Sequence, residues 1–560
     1  MDTATRRGGV FLTPLPFAKK AYEHIERIVG TSWMQSGNYR LWDMAAGTGH
    51  LELFLPKEAH KYCYLSTLEQ KDVDHLKKEF PRATVFQYDY LGDDVERLFR
   101  QQTQVKFKTS TDDHLSSAVC PTSMPNTLRK DLEYPNIKWI ILVNPPYATA
   151  QETGLKGASK EGVSDTAIRK RMHAEGLGEV SRELYVQFLY RIMKEFKDRK
   201  TLLGLFAPLK YLLSANYQRF RDNIFHASFQ SGFAFSSENF FGTSKTSHFP
   251  ITFILWDIHQ GTNVTEQEIH LDLLDSAAQK FSTKRVKPVH RNEFLSKWIK
   301  RPRGAHVFPP FGSALTIKSG NTDTRNRIAD GFLASLMCPG NELQNQQQTA
   351  FLSGPQASAG ALSVTPDNFE QAVVLFAARR IPKDSWINHV DQLMQPNREL
   401  VSFFIGDCAV WSLFDSKNQT VAMRNVVYQD RLYQIVNHFF PFPPEPQSEK
   451  CAKGNSFVAD WLLKQTLSSE AQEVLARARK IYRLFFESWN VLQRTKFKIE
   501  TYDAGWYQIQ KALRDAQLGI DLFADLKDRH DRLKAKILLQ LYDYGILGHE
   551  SESRKQRKAK

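Results

Sequence analysis

The sequence lacks several features that would each assign it to a class of protein. No run of about 18 uncharged apolar residues occurs, so we expect no transmembrane helix. The first residues, MDTATRRGGVF, contain no apolar segment of the signal-peptide type. The five cysteines, an odd number, include no pair at metal-ligand spacing; they are Cys63, Cys120, Cys338, Cys408 and Cys451. We therefore expect a cytoplasmic protein without disulfides, structural zinc or any other metal.

Acidic residues are fewer than basic ones. The 560 residues include 75 Lys and Arg against 61 Asp and Glu, a formal net charge of +14. A basic excess of this size commonly serves polyanions, although it also keeps proteins soluble. The charge therefore favours nucleic acid as a partner, and the length predicts two or three domains.

Short apolar segments alternate with helical ones up to about residue 275. Phe17, Ala21 and Ile25 recur at helical spacing and predict a helix over 15–29. Strands are predicted at 39–43, 62–69, 83–89, 139–143, 201–208 and 250–258, and further helices at 49–55, 71–80, 93–102, 184–196 and 216–225. The alternation predicts a mostly parallel sheet with helices on both faces. In such sheets, ligands bind at the carboxyl ends of the strands.

Three of these strand ends carry residues suited to a nucleoside. In DMAAGTGHLE, Asp43 closes a strand, and Gly47 and Gly49 let the backbone approach a ligand, or simply form a structural turn. Glu69 ends the second strand, where a carboxylate can accept both ribose hydroxyls or cap the next helix. Asp89 ends the third and can accept from an adenine amino group or cap a helix. Together they predict a nucleoside cofactor across the sheet.

The strand at 139–143 ends in the tetrapeptide Asn144, Pro145, Pro146 and Tyr147. Prolines lack an N–H, so carbonyl groups at this end stay free to accept hydrogen bonds. The Asn144 side-chain oxygen and the Pro145 carbonyl can each accept one hydrogen of an exocyclic amine, and Tyr147 offers a face to a flat base. Such bonding draws the nitrogen lone pair out of ring conjugation. The pattern predicts a site that activates an amino group, with a rigid turn as the alternative.

The segments LWDMAAGTG, LEQ, YDY and NPPY, in this order, resemble motifs I to IV of S-adenosyl-L-methionine-dependent N6-adenine DNA methyltransferases. GGVFLTPLPFAKKAYEHI resembles the motif that precedes motif I in the gamma arrangement, where the target-recognition domain follows the catalytic one. The resemblance covers about residues 8–275. It implies an α/β, Rossmann-like class I domain with a mostly parallel seven-stranded sheet, followed by a mixed α/β target-recognition region and a helical C-terminal segment. It also implies an enzyme that acts on double-stranded DNA and is associated with the nucleoid in a bacterial, archaeal or phage cytosol. One departure is AAGTG, where many relatives have Pro or Cys before the first Gly.

The resemblance also implies roles for individual residues. The implied cofactor-binding residues are Thr13, Pro14, Asp43, Ala45, Gly47, Gly49, Glu69, Asp89, Tyr90 and Asn144. The implied catalytic residues are Asn144, Pro145, Pro146 and Tyr147. A second aromatic residue would sandwich the flipped adenine against Tyr147, and Phe241 is the candidate, with Phe240 and Phe249 as alternates.

The second half of the chain is less informative. We predict target recognition in residues 276–450 and a helical region with a basic tail in 451–560, after a catalytic domain at 1–275. Because Arg and Asn are the usual readers of base edges, the candidate DNA contacts are Arg379, Arg380, Lys383, Asn388, His389 and Arg424.

Other functions remain open at this point. NPPY also occurs in methyltransferases that act on RNA bases or on a protein glutamine, and N4-cytosine methylation uses the same geometry. A DNA-binding specificity subunit without activity is an alternative of a different class. Because few residues precede GGVFLTP, we expect a modification enzyme without its own nuclease, partnered with a separate restriction endonuclease or solitary.

Overall fold

The computed structural model describes residues 12–96, 124–147, 166–240, 248–259, 261–317, 327–356, 360–443, 450–452, 456–493, 497 and 499–548. The described residues divide into two compact units. The first comprises those within Met1–His290 together with Ser385–Val390, and the second those within Arg291–Asp384 and Asp391–His549. The predicted divisions near residues 275 and 450 stay predictions.

A nine-stranded sheet forms the centre of the first unit. Its strands are β1 (Tyr39–Asp43), β2 (Cys63–Thr67), β3 (Thr84–Gln87), β4 (Lys138–Val143), β5 (Thr201–Pro208), β6 (Ser228–Ser236), β7 (Pro250–Asp257), β8 (Ile269–Leu274) and β9 (Lys280–Val286). They are ordered β3-β2-β1-β4-β5-β7-β6-β8-β9. Strands β1 to β5 pair in parallel, as do β6 and β8, whereas β7 is antiparallel to β5 and β6, and β9 to β8.

Helices cover both faces of this sheet. The helices of the first unit are α1 (Leu15–Val29), α2 (Gln70–Glu79), α3 (Asn126–Glu133), α4 (Ala167–Ala174), α5 (Leu184–Phe196), α6 (Lys210–Leu213) and α7 (Gln218–Asn223). Alternate residues of one strand enter different cores: Leu41 packs with α1, and Trp42 packs with α5. Burial from both sides explains why β4 is apolar from Trp139 to Val143.

Most predicted elements of this unit are present. The helices at 15–29 and 184–196 and the strands at 39–43 and 201–208 have the predicted bounds. The predicted helix at 49–55 is instead a single 3-10 turn, Glu52–Phe54. The sheet is mostly parallel as predicted, but it has nine strands and not seven. The prediction missed β6, and it missed β8 and β9, which extend the sheet as an antiparallel hairpin beside β6.

The second unit has a largely helical core. Its helices are α8 (Leu295–Trp298), α9 (Phe369–Arg380), α10 (Ser402–Phe414), α11 (Phe457–Leu463), α12 (Ser469–Glu487), α13 (Trp489–Leu492), α14 (Trp506–Asp515) and α15 (Ile520–Asp543). Its strands are β10 (His306–Val307), β11 (Arg327–Ile328), β12 (Ala334–Met337), β13 (Ala350–Leu352), β14 (Leu362–Val364), β15 (Asn418–Gln419), β16 (Met423–Tyr428) and β17 (Arg431–Ile435). Strands β12 to β15 form a small sheet in the order β14-β12-β13-β15. None of the helices in the described part of the chain is both long and apolar enough to cross a membrane.

Candidate active site

The turn after β1 is held by its own polar groups. Asp43 is 1% exposed, and its Oδ1 accepts a hydrogen bond from Ala45 N at 2.8 Å. Gly47 has φ +54°, and a Cβ placed there would meet only the Ala45 carbonyl oxygen, 3.9 Å away. Gly49 has φ +81°, but its Cβ would lie 2.5 Å from Phe80 Cε2. Gly47 therefore faces open space, whereas a side chain at Gly49 would collide with the residues of α2 and its C-cap.

A second carboxyl group lies beneath this turn. Glu52 is fully buried close to Asp43, and neither of its carboxyl oxygens has a hydrogen-bond partner among the described residues. Because two neighbouring buried carboxylates repel each other, we expect the pair to hold a proton between them. Burial raises the pKa of Asp43 to about 7, and burial and then Asp43 raise that of Glu52 well above its ordinary value. The sequence did not single out Glu52, because an acidic residue in GHLELFL gives no sign of being buried.

Glu69 and Asp89 both follow strands at the same edge of the sheet. Glu69 is exposed and precedes α2, but its side chain makes no capping hydrogen bond. Asp89 is half-buried, and its Oδ1 accepts from Leu91 N at 2.9 Å. Tyr90 is 2% exposed and donates its hydroxyl to Glu195 at 3.0 Å. Because its ring lies in the core, the structure does not support the Tyr90 side chain as a cofactor contact.

Asn144 is bonded on both sides where β4 ends. Its Nδ2 donates to Thr13 Oγ1 at 2.9 Å, and its Oδ1 accepts from the Tyr147 hydroxyl at 2.5 Å. Thr13 is buried just before Pro14, the N-cap residue of α1. Pro145 is buried and Pro146 half-buried. The structure thus brings the segment before α1 to the tetrapeptide, a contact that sequence spacing could not show.

Aromatic residues surround Tyr147. The rings of Phe240 and Tyr185 meet it edge to face, with centroids 6.2 Å and 6.3 Å away. Phe240 is 3% exposed and follows β6 at the same edge of the sheet, while Phe249 is half-buried beside β7. Phe241, the predicted partner of Tyr147, lies outside the described residues. Of the alternates, Phe240 contacts the tetrapeptide.

The predicted DNA contacts are dispersed, and two are corrected. Arg379 is fully buried and donates to the carbonyls of Pro339 and Gln344, both at 3.0 Å. The Arg380 side chain is 9% exposed, and its guanidinium pairs with Asp415 at 3.0 Å. Both arginines therefore hold their own unit together, and neither is placed to read a base.

The other four predicted contacts are more accessible. Lys383 is exposed, whereas Asn388, His389 and Arg424 are half-buried. Asn388 and His389 belong to the first unit, and Arg424 lies in strand β16 of the second. Their contact with DNA stays a prediction. The predicted basic tail, residues 551–560, lies outside the described residues.

No protein-family model and no curated protein matches the chain. Among solved structures, the type IIL restriction-modification enzyme MmeI in complex with DNA matches at 9% identity and a TM-score of 0.34, covering 97% of this chain and 77% of MmeI. The type IIG restriction endonuclease BpuSI matches at 14% identity and a TM-score of 0.29, covering 51% of this chain and 32% of BpuSI. The M protein of the type I restriction enzyme EcoKI matches at 16% identity and a TM-score of 0.23, covering 47% of each chain. The chain thus spans about half of the M protein and a third of BpuSI, and TM-scores this low define neither its fold nor its activity.

Proposed function

We propose that the chain is an S-adenosyl-L-methionine-dependent DNA methyltransferase that modifies the amino group of a flipped adenine. The observation that carries the proposal is the NPPY tetrapeptide at the end of β4, with the Asn144 amide fixed by Thr13 and beside Tyr147. The glycine turn after β1 and the carboxylates after β2 and β3 lie at the same edge of the sheet as this tetrapeptide. This is the order of motifs in the family that the sequence resembles.

The residues of the turn fit a nucleoside cofactor. Gly47 leaves open space where any other residue would place a Cβ, and the Thr48 hydroxyl is buried without a partner among the described residues. Glu69 presents a carboxylate that the helix does not use, as bonding to two ribose hydroxyls requires. Asp43, Ala45 and Thr13 would border the methionine end, and Asp89 the adenine. The cofactor, when bound, supplies an activated methyl group.

The tetrapeptide would act on the target amine by orientation. Thr13 accepts from the Asn144 Nδ2 and so fixes the orientation of the amide, and Oδ1 accepts from the Tyr147 hydroxyl. A target amine would take the place of this hydroxyl while the base lies against the Tyr147 ring. Positioning the nitrogen then contributes most of the rate, and no strong base is needed.

The target base must leave the duplex to reach this edge of the sheet. Flipping costs a few kcal/mol, and stacking on an aromatic residue returns about 1–3 kcal/mol. Tyr147 and Phe240 lie together here, and Phe241 remains the proposed second face of the sandwich. A net charge of +14 matches a polyanionic substrate. We propose that the DNA is also contacted by Lys383, Asn388, His389 and Arg424.

The test is methyl transfer from S-adenosyl-L-methionine carrying a radioactive methyl group, offered to DNA, RNA and protein in parallel. We expect label in DNA, and none with Asn144→Ala. Asn223→Ala, an exposed asparagine at the end of α7, is the matched control and should transfer normally. Label only in RNA or protein would replace the proposed substrate. Absence of transfer to any of them would favour a specificity subunit without activity.

A further inference from the structure

A buried arginine lies beneath the segment that carries Asp89. Arg191, on α5, is fully buried. Its guanidinium donates to the carbonyl oxygens of Tyr90 and Asp93, the latter at 2.8 Å, and to the Tyr88 hydroxyl at 2.7 Å. One side chain of a helix thus bonds three residues of the loop that follows β3.

The guanidinium is itself fixed in place. Glu195, one helical turn away, lies 3.6 Å from Arg191 Nε and accepts the Tyr90 hydroxyl at 3.0 Å. The Tyr90 ring lies 4.3 Å from the guanidinium carbon, in cation–π geometry. Because the ion pair and the stacking both restrict the guanidinium group, its N–H donors have defined directions.

The loop places a buried aromatic residue on each side of Asp89, whose Oδ1 is held within the loop by a hydrogen bond from Leu91 N at 2.9 Å. Tyr88 and Tyr90 are 1% and 2% exposed, whereas Asp89 between them is half-buried. The Asp89 backbone N–H donates to Asp93 Oδ2 at 3.0 Å, and the Asp93 N–H donates to the Asp89 carbonyl at 2.8 Å. The guanidinium bonds two carbonyl groups of this closed turn, those of Tyr90 and Asp93. Its removal would free the turn that sets the Asp89 carboxylate.

We propose that Arg191 is a positioning residue that orients Asp89 toward the adenine amino group of the cofactor, an inference that rests on the proposed function. Arginine suits this task because its planar fork reaches three acceptors at once, which a lysine ammonium on one flexible stem does not reproduce. The role concerns which nucleoside is accepted, and not the methyl transfer itself.

The test compares two ligands of the full chain, S-adenosylhomocysteine and its inosine analogue, which has a carbonyl in place of the adenine amine. Calorimetry would give the ratio of their dissociation constants for the wild type, Arg191→Met and Arg191→Lys. We expect the wild type to prefer the adenine ligand by about tenfold or more, as one hydrogen bond to a carboxylate allows. Both variants should lose most of this preference by binding the adenine ligand more weakly and the inosine ligand about as before.

Arg221→Met is the matched control. Arg221 is also fully buried in the first unit and donates to two carbonyls, those of Tyr211 and Ser214, away from Asp89. Its variant should keep the wild-type ratio, and hydrogen exchange of residues 88–94 should rise only in the Arg191 variants. If Arg191→Met does not fold, Arg191→Lys carries the comparison.

The outcomes separate the two proposals. A wild type that prefers the adenine ligand, with Arg191 variants that keep the same ratio, would overturn the role of Arg191 alone. An equal loss of preference in Arg221→Met would also overturn it, because a general loss of packing would then explain the effect. A wild type that binds neither ligand would overturn cofactor binding itself.

Discussion

Single residues at the strand ends divide into those that present a group and those that support one. Asn144 and Glu69 offer polar atoms at the edge of the sheet, whereas Asp43, Glu52, Tyr90 and Arg191 are buried behind it. The sequence indicated the first kind, because strand ends and motif order show where a carboxylate or an amide lies. It could not indicate Glu52 or Arg191, because burial of a charged residue depends on partners far along the chain.

The Glu69→Gln variant tests whether the carboxylate at the end of β2 binds the ribose of the cofactor. A carboxylate can accept from two ribose hydroxyls, and loss of charged hydrogen bonds costs about 1.5–3 kcal/mol. We expect the dissociation constant of S-adenosylhomocysteine to rise roughly 10- to 100-fold by calorimetry, since each 1.4 kcal/mol is tenfold. Glu79→Gln, an exposed glutamate at the other end of α2, should bind as the wild type. Equal affinities for Glu69→Gln and the wild type would remove the ribose role.

The Glu52→Gln variant tests how the buried pair of Asp43 and Glu52 makes the free energy of unfolding depend on pH. Burial raises the pKa of Asp43 from 3.8 to about 7, so the folded state holds a proton that the unfolded chain releases. The stability from this proton is complete below pH 3.8 and is lost as the pH rises through about 7. We expect the free energy of unfolding to fall by up to about 1.4 kcal/mol per pH unit in this window.

In the Glu52→Gln variant, the amide donates to Asp43 without titrating, so this loss should shrink. Urea unfolding at several pH values measures it, and Glu79→Gln should follow the wild type. A slope in Glu52→Gln as steep as that of the wild type would show that the pair does not share a proton.

At the scale of elements, the alternation of strands and helices predicted the α/β class and the mostly parallel sheet. Strands buried on both faces, such as β4, give continuous apolar runs that a sequence shows plainly. Strand β6 was missed because SFQSGFAFS contains Ser, Gln and Gly, and its first four residues are only half-buried. A 3-10 turn at Glu52–Phe54 stands where a longer helix was predicted, because Gly49 has φ +81° and cannot begin a right-handed helix.

Gly49→Ala tests the packing of this residue against α2. A left-handed conformation costs a non-glycine residue about 1–2 kcal/mol, and overpacking against Phe80 and Leu76 adds about 1–3 kcal/mol. Gly176→Ala isolates the first cost, because Gly176 has φ +77° and its nearest atom is the flexible end of Arg219, 3.4 Å away. Urea unfolding should show the larger loss for Gly49→Ala. Equal losses would mean that the turn has room for a methyl group.

At the scale of the whole molecule, the charge of +14 was the first observation that favoured the proposed polyanionic substrate. The sequence could not place the residues that contact it, since Arg379 and Arg380 resemble base readers in sequence but are bonded within their own unit. Charge predicts a partner class, and burial decides which cations remain available.

Salt dependence tests the whole-molecule charge. Binding of double-stranded DNA should release counterions, so the logarithm of the dissociation constant should rise linearly with the logarithm of salt concentration between about 50 and 200 mM. Fluorescence anisotropy of a labelled duplex measures this slope. Binding of S-adenosylhomocysteine in the same buffers should change little, because that ligand is not a polyanion. A DNA affinity independent of salt would exclude phosphate contacts as its source.

The most direct test of the proposed function is to identify the methylated nucleoside. DNA of mixed sequence, incubated with the chain and S-adenosyl-L-methionine, would be digested for nucleoside mass spectrometry and read in parallel by single-molecule sequencing. The account predicts N6-methyladenine in one sequence context, absent with Asn144→Ala. N4-methylcytosine alone, or unmodified DNA despite measurable cofactor binding, would contradict it.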